Sequence, residues 1–164
     1  MGIGKLVGGA VAGLGLVGLG YTGLAGQDAT TRDDNGAIVE SGEVGAFRIQ
    51  LGDCLNGTTT GLIESMEGVP CSSPHDVEVY HAFNMAEGSG VYPGDEATGE
   101  AAADGCYDAF AGFVGRDYET SKFGFTTLSP SAESWDQIDD REVLCLVANY
   151  DETKKTGTAQ NTGL

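Results

Sequence analysis

The chain has 164 residues, enough for one folded domain of about 100 to 130 residues with extensions, and too few for a multidomain machine. Its 25 Asp and Glu residues outnumber 8 Lys and Arg residues, which gives a formal net charge of −17. Such a surface repels nucleic acid and anionic lipid headgroups, so the composition excludes nucleic-acid binding and peripheral adhesion to lipid.

Residues 1–26 predict a transmembrane signal anchor. Ten of the 27 glycines lie there, and residues 6–26 carry no charge. At about 1.5 Å per helical residue this stretch reaches about 31 Å, the thickness of the hydrocarbon core of a bilayer. Lys5 and the amino terminus precede it and acidic residues follow it, so the positive-inside rule places the N-terminus in the cytoplasm and the rest outside the cell membrane.

A cleaved signal peptide is the alternative reading of the same segment, with Gly23, Leu24 and Ala25 as its cleavage site. Lipid attachment is excluded, because Gln27 stands where a lipoprotein signal needs a cysteine.

Small residues recur at intervals of four along the predicted span. They form two series: Gly4, Gly8 and Ala12, and Gly9 with Gly13. This spacing lets two helix backbones approach closely in lipid, and it predicts that the anchor packs against an integral membrane protein complex. A glycine-rich anchor without a partner helix is the alternative.

Two polar segments flank the predicted folding unit. Residues 27–44 are acidic and lack a hydrophobic period, which predicts a flexible stalk. This segment does not match a calcium-binding loop. Aligning Gly36 with the sixth loop position puts Thr31 in the first position and Gly42 in the last, where acidic residues are needed. Residues 151–164 have almost no apolar side chains and predict a disordered tail. The folding unit is therefore predicted as residues 45–150.

All four cysteines lie in that unit: Cys54, Cys71, Cys106 and Cys145. An even number of cysteines in an exported domain predicts two disulfides. Three pairings are possible, and we favour Cys54 with Cys71 and Cys106 with Cys145. The spacings of 17, 35 and 39 residues and the lack of a CxxC pair argue against a zinc site, and no metal or cofactor is predicted.

Alternating apolar and polar residues predict half-buried strands over residues 46–51 and 76–83, and residues 61–69 are expected to be extended. In the second of these strands Val77, Val79, His81 and Phe83 are predicted to share one face. Residues 143–148 are apolar on both faces, the pattern of an interior strand.

A helix is predicted from Asp95, which can cap its N-terminus, to Gly115, which ends it. Its apolar residues recur at helical spacing: Ala103, Cys106, Tyr107, Phe110, Phe113 and Val114. A bond from this helix to Cys145 would join it to the interior strand. The predicted architecture is α+β, a small, mostly antiparallel sheet with one main helix across it.

Short signals follow one another along residues 50–148 in a fixed order: Gly52-Asp53-Cys54-Leu55-Asn56, Val69-Pro70-Cys71, Pro74-His75-Asp76, Glu78-Val79, Tyr92-Pro93-Gly94, Cys106, Pro130, Trp135, Asp140-Arg141 and Cys145. In this order they resemble the septum-formation domain of actinobacterial envelope proteins. The resemblance implies an exported, membrane-tethered module of the high-GC Gram-positive envelope, and its name points to cell division. One departure is Asp139, where a glycine is expected before the Asp-Arg pair.

The sequence shows no catalytic constellation, and we predict that the protein is not an enzyme. Only two histidines are present, and His75 lies four residues from Cys71, but a cysteine in a disulfide is no nucleophile. His81 is predicted to be a satisfied core histidine. No GxSxG motif occurs.

Two further side chains have a predicted place. Trp135, the only tryptophan, is expected to pack at the edge of the core, and as an exposed ring it would instead be a candidate contact residue. Arg141 is expected to form an ion pair with a neighbouring carboxylate.

The leading hypothesis is a non-enzymatic, single-pass envelope protein that serves as an accessory, assembly or scaffold subunit of a larger membrane complex. Two kinds of complex compete, the division or cell-wall machinery and a respiratory supercomplex. The alternative hypothesis is an extracytoplasmic sensor domain that binds a ligand or a cation such as calcium, suggested by the many carboxylates.

Overall fold

A computed structural model describes residues 27–86 and 90–164. The predicted anchor, with its helix-packing residues Gly4, Gly8, Gly9, Ala12 and Gly13, lies outside these residues. Neither α-helix within the two described ranges has the length and hydropathy of a membrane-spanning segment.

The fold is built on a six-stranded sheet in which every pair of neighbours is antiparallel. Its strands are β3 (Gly42–Gly45), β4 (Cys54–Asn56), β5 (Ser65–Val69), β6 (Val77–Asn84), β7 (Phe123–Leu128) and β8 (Glu142–Asn149). The strand order is β3-β5-β4-β6-β8-β7. A separate hairpin consists of β1 (Thr31–Arg32) and β2 (Ile38–Glu40).

Within residues 27–86 and 90–164 two α-helices accompany the sheet, α1 (Asp95–Val114) and the shorter α2 (Ala132–Ile138). Short 3-10 helices lie at Ala46–Arg48 and Tyr118–Thr120. The predicted α+β class and the mostly antiparallel sheet are confirmed, whereas α2 was not predicted.

The sheet buries a hydrophobic cluster on each face, because successive side chains of a strand point to opposite sides. On β8, Val143, Cys145 and Val147 face the cluster under α1, and Leu144 and Leu146 face the other. The predicted interior strand is thus confirmed.

Helix α1 begins and ends close to the predicted positions. Gly94 is its N-cap and Asp95 its first residue, so the predicted capping role of Asp95 is wrong. Gly115 ends the helix, as predicted, and the structure shows it in a left-handed conformation. The buried residues of the helix recur every four positions: Thr98, Ala102, Cys106, Phe110 and Val114.

A β-bulge in β6 changes the predicted faces of that strand. The register shifts between Val79 and His81, so that Val79 pairs with Leu146 and His81 with Cys145. A bulge adds one residue and moves the following side chains to the opposite face. His81 and Phe83 therefore do not share a face with Val79, and the two rings stack on each other with centroids 5.7 Å apart.

Residues 46–51 do not form the predicted strand. Phe47 is 39% and Leu51 64% exposed, and only Ile49 is buried. The chain turns here because the carboxylate of Asp53 accepts a hydrogen bond from the backbone N–H of Gln50 at 2.8 Å. This local bond gives the segment a turn where the alternating pattern predicted a paired strand.

Residues 27–44 are not the predicted flexible stalk, because they carry β1, β2 and the start of β3. The guanidinium of Arg32 donates to both carboxylate oxygens of buried Asp53, at 2.6 and 2.9 Å. These hydrogen bonds raise the pKa of Arg32 above its usual value. Composition favours a stalk, but this long-range bidentate pair ties the segment to the core.

Residues 151–164 are not the predicted disordered tail either. Lys155 and Ala159 are buried, and the backbones of His75 and Lys155 exchange two hydrogen bonds of 2.9 Å. The carboxylate of Glu78, itself buried, accepts from the Lys155 ammonium, the Thr158 hydroxyl and the Ala159 N–H. The segment is ordered because it satisfies a charge that the sheet has buried.

Candidate functional site

A cavity of about 450 Å³ opens between the loop that precedes β5, the end of β7 and the start of α2. Apolar side chains form part of its wall, namely Ile63, Leu128 and Leu144. Phe47 and Leu62 also line it, and Leu62 is 76% exposed. We call this cavity the acidic groove because of its five carboxylate-bearing residues: Glu64, Asp95, Glu133, Asp140 and Glu142.

Helix α2 and the turn after it place two of these carboxylates. Ser131 caps α2, since its hydroxyl accepts a hydrogen bond from the backbone N–H of Ser134 at 3.0 Å. Asp140 accepts from the Ser134 hydroxyl at 2.9 Å and from the Glu142 N–H at 3.1 Å. These bonds fix the connection from α2 to β8, so that Asp140 and Glu142 both line the groove.

Asp139, which stands where the resemblance leads us to expect a glycine, lies between α2 and this turn. Asp139 is the C-cap of α2 and has a φ of 57°, in the left-handed region that glycine adopts most readily. Aspartate is among the non-glycine residues that tolerate this region best. The turn therefore keeps a left-handed geometry without the expected glycine.

Trp135 is 3% exposed, so the ring lies in the core and is not the exposed ring that a contact role would need. Its indole N–H donates to the carbonyl oxygen of Gly90 at 3.0 Å. The guanidinium of Arg141 lies 3.6 Å from the centroid of the ring and pairs with Asp139 at 2.7 Å. The predicted ion pair of Arg141 is thus confirmed.

The groove is negatively charged throughout, since no Lys, Arg or His is among the described residues that line it. Loss of hydration raises the pKa of Glu142, and the neighbouring charge of Asp140 raises it further. A positive group placed there would remove this repulsion. The groove is therefore suited to a ligand that combines a cation with an apolar surface.

Both predicted disulfides are present, Cys54–Cys71 and Cys106–Cys145, with Cα–Cα distances of 5.2 and 5.4 Å. Cys106–Cys145 joins α1 to β8, as expected. None of the four cysteines lines the acidic groove.

His75 is fully buried, and its Nδ1–H donates to the carbonyl oxygen of Ser73 at 2.8 Å. Burial lowers its pKa below 6.5. In the described ranges one group of side chains could share a metal ion: Cys54, His75 and Glu78, with ligand atoms within 4.8 Å of one another. The Cys54 sulfur is in a disulfide and the Glu78 carboxylate binds Lys155, so the folded, oxidised chain does not offer this set to a metal.

Sequence reasoning missed the groove. Its residues come from five separate stretches of the chain, and only the fold brings them together. The sequence shows Leu62 and the acidic residues Asp140 and Glu142 on either side of Arg141, but similar acidic residues occur all along this chain, so they do not single out a site.

The described part of the chain is a small α+β domain with two disulfides and an acidic groove on one side. A family model described as septum formation matches residues 51–163, and the chain belongs to that family. The match extends beyond the predicted 50–148 and includes the C-terminal segment that covers Glu78. It indicates a division-related role. No curated protein and no solved structure matches the chain.

Proposed function

We propose that this protein is a non-enzymatic subunit of a membrane complex in the division apparatus, and that its domain binds a partner protein through the acidic groove. One observation carries the proposal: five carboxylate residues line a cavity that has apolar walls and no basic residue. Family membership supports the link to division.

The occupant we propose is a segment of a partner protein in which apolar residues alternate with Lys or Arg. The apolar walls match its aliphatic side chains, and burying one Leu-sized side chain contributes about 1.5 to 3 kcal/mol. The carboxylates match its cations. Partner binding would also cover Leu62, a large apolar side chain that is 76% exposed at the margin of the groove.

Residues 1–26 are proposed to hold the domain at the cell membrane, with the N-terminus in the cytoplasm and the domain outside. Two disulfides fit this topology, because they persist in oxidising compartments and are rare in the cytosol. Protease added to intact cells should digest the domain and leave the N-terminus protected.

A binding assay with a defined probe tests the groove. The probe is a short labelled peptide of alternating Lys and Leu, and the control peptide has Glu in place of Lys. Glu64→Gln combined with Glu142→Gln should weaken binding of the Lys peptide by about tenfold, or about 1.4 kcal/mol. Added salt should weaken binding to the wild type as well.

Glu100→Gln combined with Asp104→Asn is the matched control, because both residues lie exposed on α1 and do not line the groove. It removes the same number of charges from the chain but none from the groove, so it should leave the affinity unchanged. Equal loss of affinity in both variants, or equal binding of the two peptides, would contradict a specific groove.

Localisation separates the two kinds of membrane complex. A fluorescent fusion of the full chain should collect at the division septum if the partner belongs to the division machinery. A uniform membrane signal with copurifying cytochromes would favour a respiratory supercomplex instead.

Cation sensing remains the second candidate, and it finds less support. Within the described residues, no three groove carboxylates approach closely enough to share an ion. A thermal shift of several degrees with calcium would nevertheless favour it over partner binding.

A further inference from the structure

The two disulfides differ in their surroundings. Cys106 and Cys145 are both fully buried in the cluster under α1. Cys54 is also fully buried, but Cys71 is only half-buried, in the turn that follows β5. A thiolate in solution can therefore reach the Cys54–Cys71 bond at one of its two sulfurs, whereas the other bond is closed to it.

A basic side chain lies beside the buried sulfur of the accessible bond. A ring nitrogen of His75 and the Sγ of Cys54 are within 4.8 Å of each other. Since the Nδ1–H of His75 donates to a carbonyl oxygen, Nε2 is the nitrogen with the free lone pair. Nε2 is buried and has no hydrogen-bond partner. An unpartnered buried acceptor is uncommon and indicates a further use of this ring.

We propose that the Cys54–Cys71 disulfide is a site of thiol–disulfide exchange with a dithiol reductant, in which Cys71 is attacked and His75 assists the departure of Cys54. This proposal does not depend on the acidic groove.

The exchange proceeds in two steps. A thiolate of the dithiol attacks the Sγ of Cys71, a new S–S bond forms, and the electron pair of the broken bond goes to the Sγ of Cys54. The proton lost by the incoming thiol is taken up at Nε2 of His75, because the new thiolate charge on Cys54 beside the ring favours the protonated imidazole. The second thiol of the reductant then attacks its own sulfur in the mixed disulfide and releases Cys71 as a thiol. The domain has gained two electrons, and the reductant has become a disulfide.

Exchange at Cys71 would act on the C-terminal segment. The Gly157 N–H donates to the carbonyl oxygen of Cys71 at 2.7 Å, and Lys155 pairs with the backbone of His75. The same turn therefore holds both the disulfide and residues 155–157. Opening the bond removes a constraint on this turn, and the segment that covers Glu78 should become more mobile.

Native exchange kinetics test the proposal on the full chain. The oxidised protein is treated with limiting dithiothreitol without denaturant, quenched by alkylation and mapped by mass spectrometry. Cys54 and Cys71 should be labelled at least about tenfold faster than Cys106 and Cys145. With glutathione, a monothiol, the mixed disulfide should form on Cys71. Equal rates for the two bonds, or glutathione on Cys54, would overturn the proposal.

The role of His75 is read from the absolute reduction rate of each bond. His75→Gln should slow reduction of Cys54–Cys71 by about tenfold and leave the rate of Cys106–Cys145 unchanged. A purely structural role predicts that both bonds are reduced faster, since a destabilised fold exposes them. His81→Gln is the control and should leave the rate of Cys54–Cys71 unchanged. Should His75→Gln fail to fold, the order of labelling and the glutathione site in the wild type still decide the proposal.

Discussion

Lys155 and the tail that carries it give the sharpest test of the fold. Glu78 is 3% and Lys155 8% exposed, so the ammonium and the carboxylate form a buried ion pair. Lys155→Met removes the cation and leaves the carboxylate buried. Breaking a buried pair in this way costs about 3 to 5 kcal/mol. For a domain of this size we expect the midpoint of thermal unfolding to fall by about 10 to 20 °C.

The neighbouring residue is a matched control. Lys154 pairs with Asp76 at 2.7 Å, but its side chain is 47% exposed. An exposed pair contributes less than about 1 kcal/mol, so Lys154→Met should shift the midpoint by only a few degrees. Both variants lose one Lys and gain one Met, and they differ only in burial.

The double variant separates pairing from burial. Burial lowers the pKa of Lys155 even though Glu78 is in contact, so desolvation of the ammonium outweighs the attraction. Adding Glu78→Gln to Lys155→Met should therefore restore most of the lost stability. Urea denaturation measures all three variants. A Lys155→Met variant within 1 kcal/mol of the wild type, or equal to Lys154→Met, would refute the ordered tail.

Three further predictions concern pH and packing. Burial lowers the pKa of His75 below the 6.5 of an unfolded chain, so at acidic pH the unfolded state binds a proton that the folded state does not. The free energy of unfolding should therefore fall as pH drops through 6.5. Urea titrations at several pH values should show this dependence in the wild type and not in His75→Gln. The pKa of Glu142 is raised in the fold, so its negative charge destabilises the folded state above that pKa. Glu142→Gln should therefore raise the free energy of unfolding by up to about 0.5 kcal/mol at neutral pH and leave it unchanged in acid. A Cβ at Gly42 would lie 2.3 Å from the carbonyl oxygen of Ala29, so Gly42→Ala should lower the free energy of unfolding by about 1 to 3 kcal/mol. Gly99 lies on α1 with open space around it, so Gly99→Ala should raise the free energy of unfolding by up to about 1 kcal/mol. Thermal unfolding measures both variants.

The sequence predicted those elements whose signal is local. Helix α1 has buried residues spaced four apart, and the interior strand β8 contains a continuous apolar run. The favoured disulfide pairing, one of three possible, is also the one present, and its Cys106–Cys145 bond joins these two elements.

The errors in the two flanking segments share one physical origin, which is a polar contact between distant residues. Arg32 is 21 residues from Asp53, and Thr158 is 80 residues from Glu78. Composition described both flanking segments as polar, but it could not show that each one neutralises a charge buried in the sheet. The acidic groove escaped prediction for the same reason, since its walls meet only in the folded chain.

In-cell photocrosslinking tests the proposed groove most directly. A photoreactive residue replaces Leu62, which lines the groove, or Leu51, an exposed leucine that does not. We predict that the Leu62 probe forms an adduct with one membrane protein of the division apparatus, at a segment rich in Lys or Arg, and that Glu64→Gln with Glu142→Gln abolishes it. The same adducts from both probes, or a Leu62 adduct that the charge variants leave unchanged, would contradict the account.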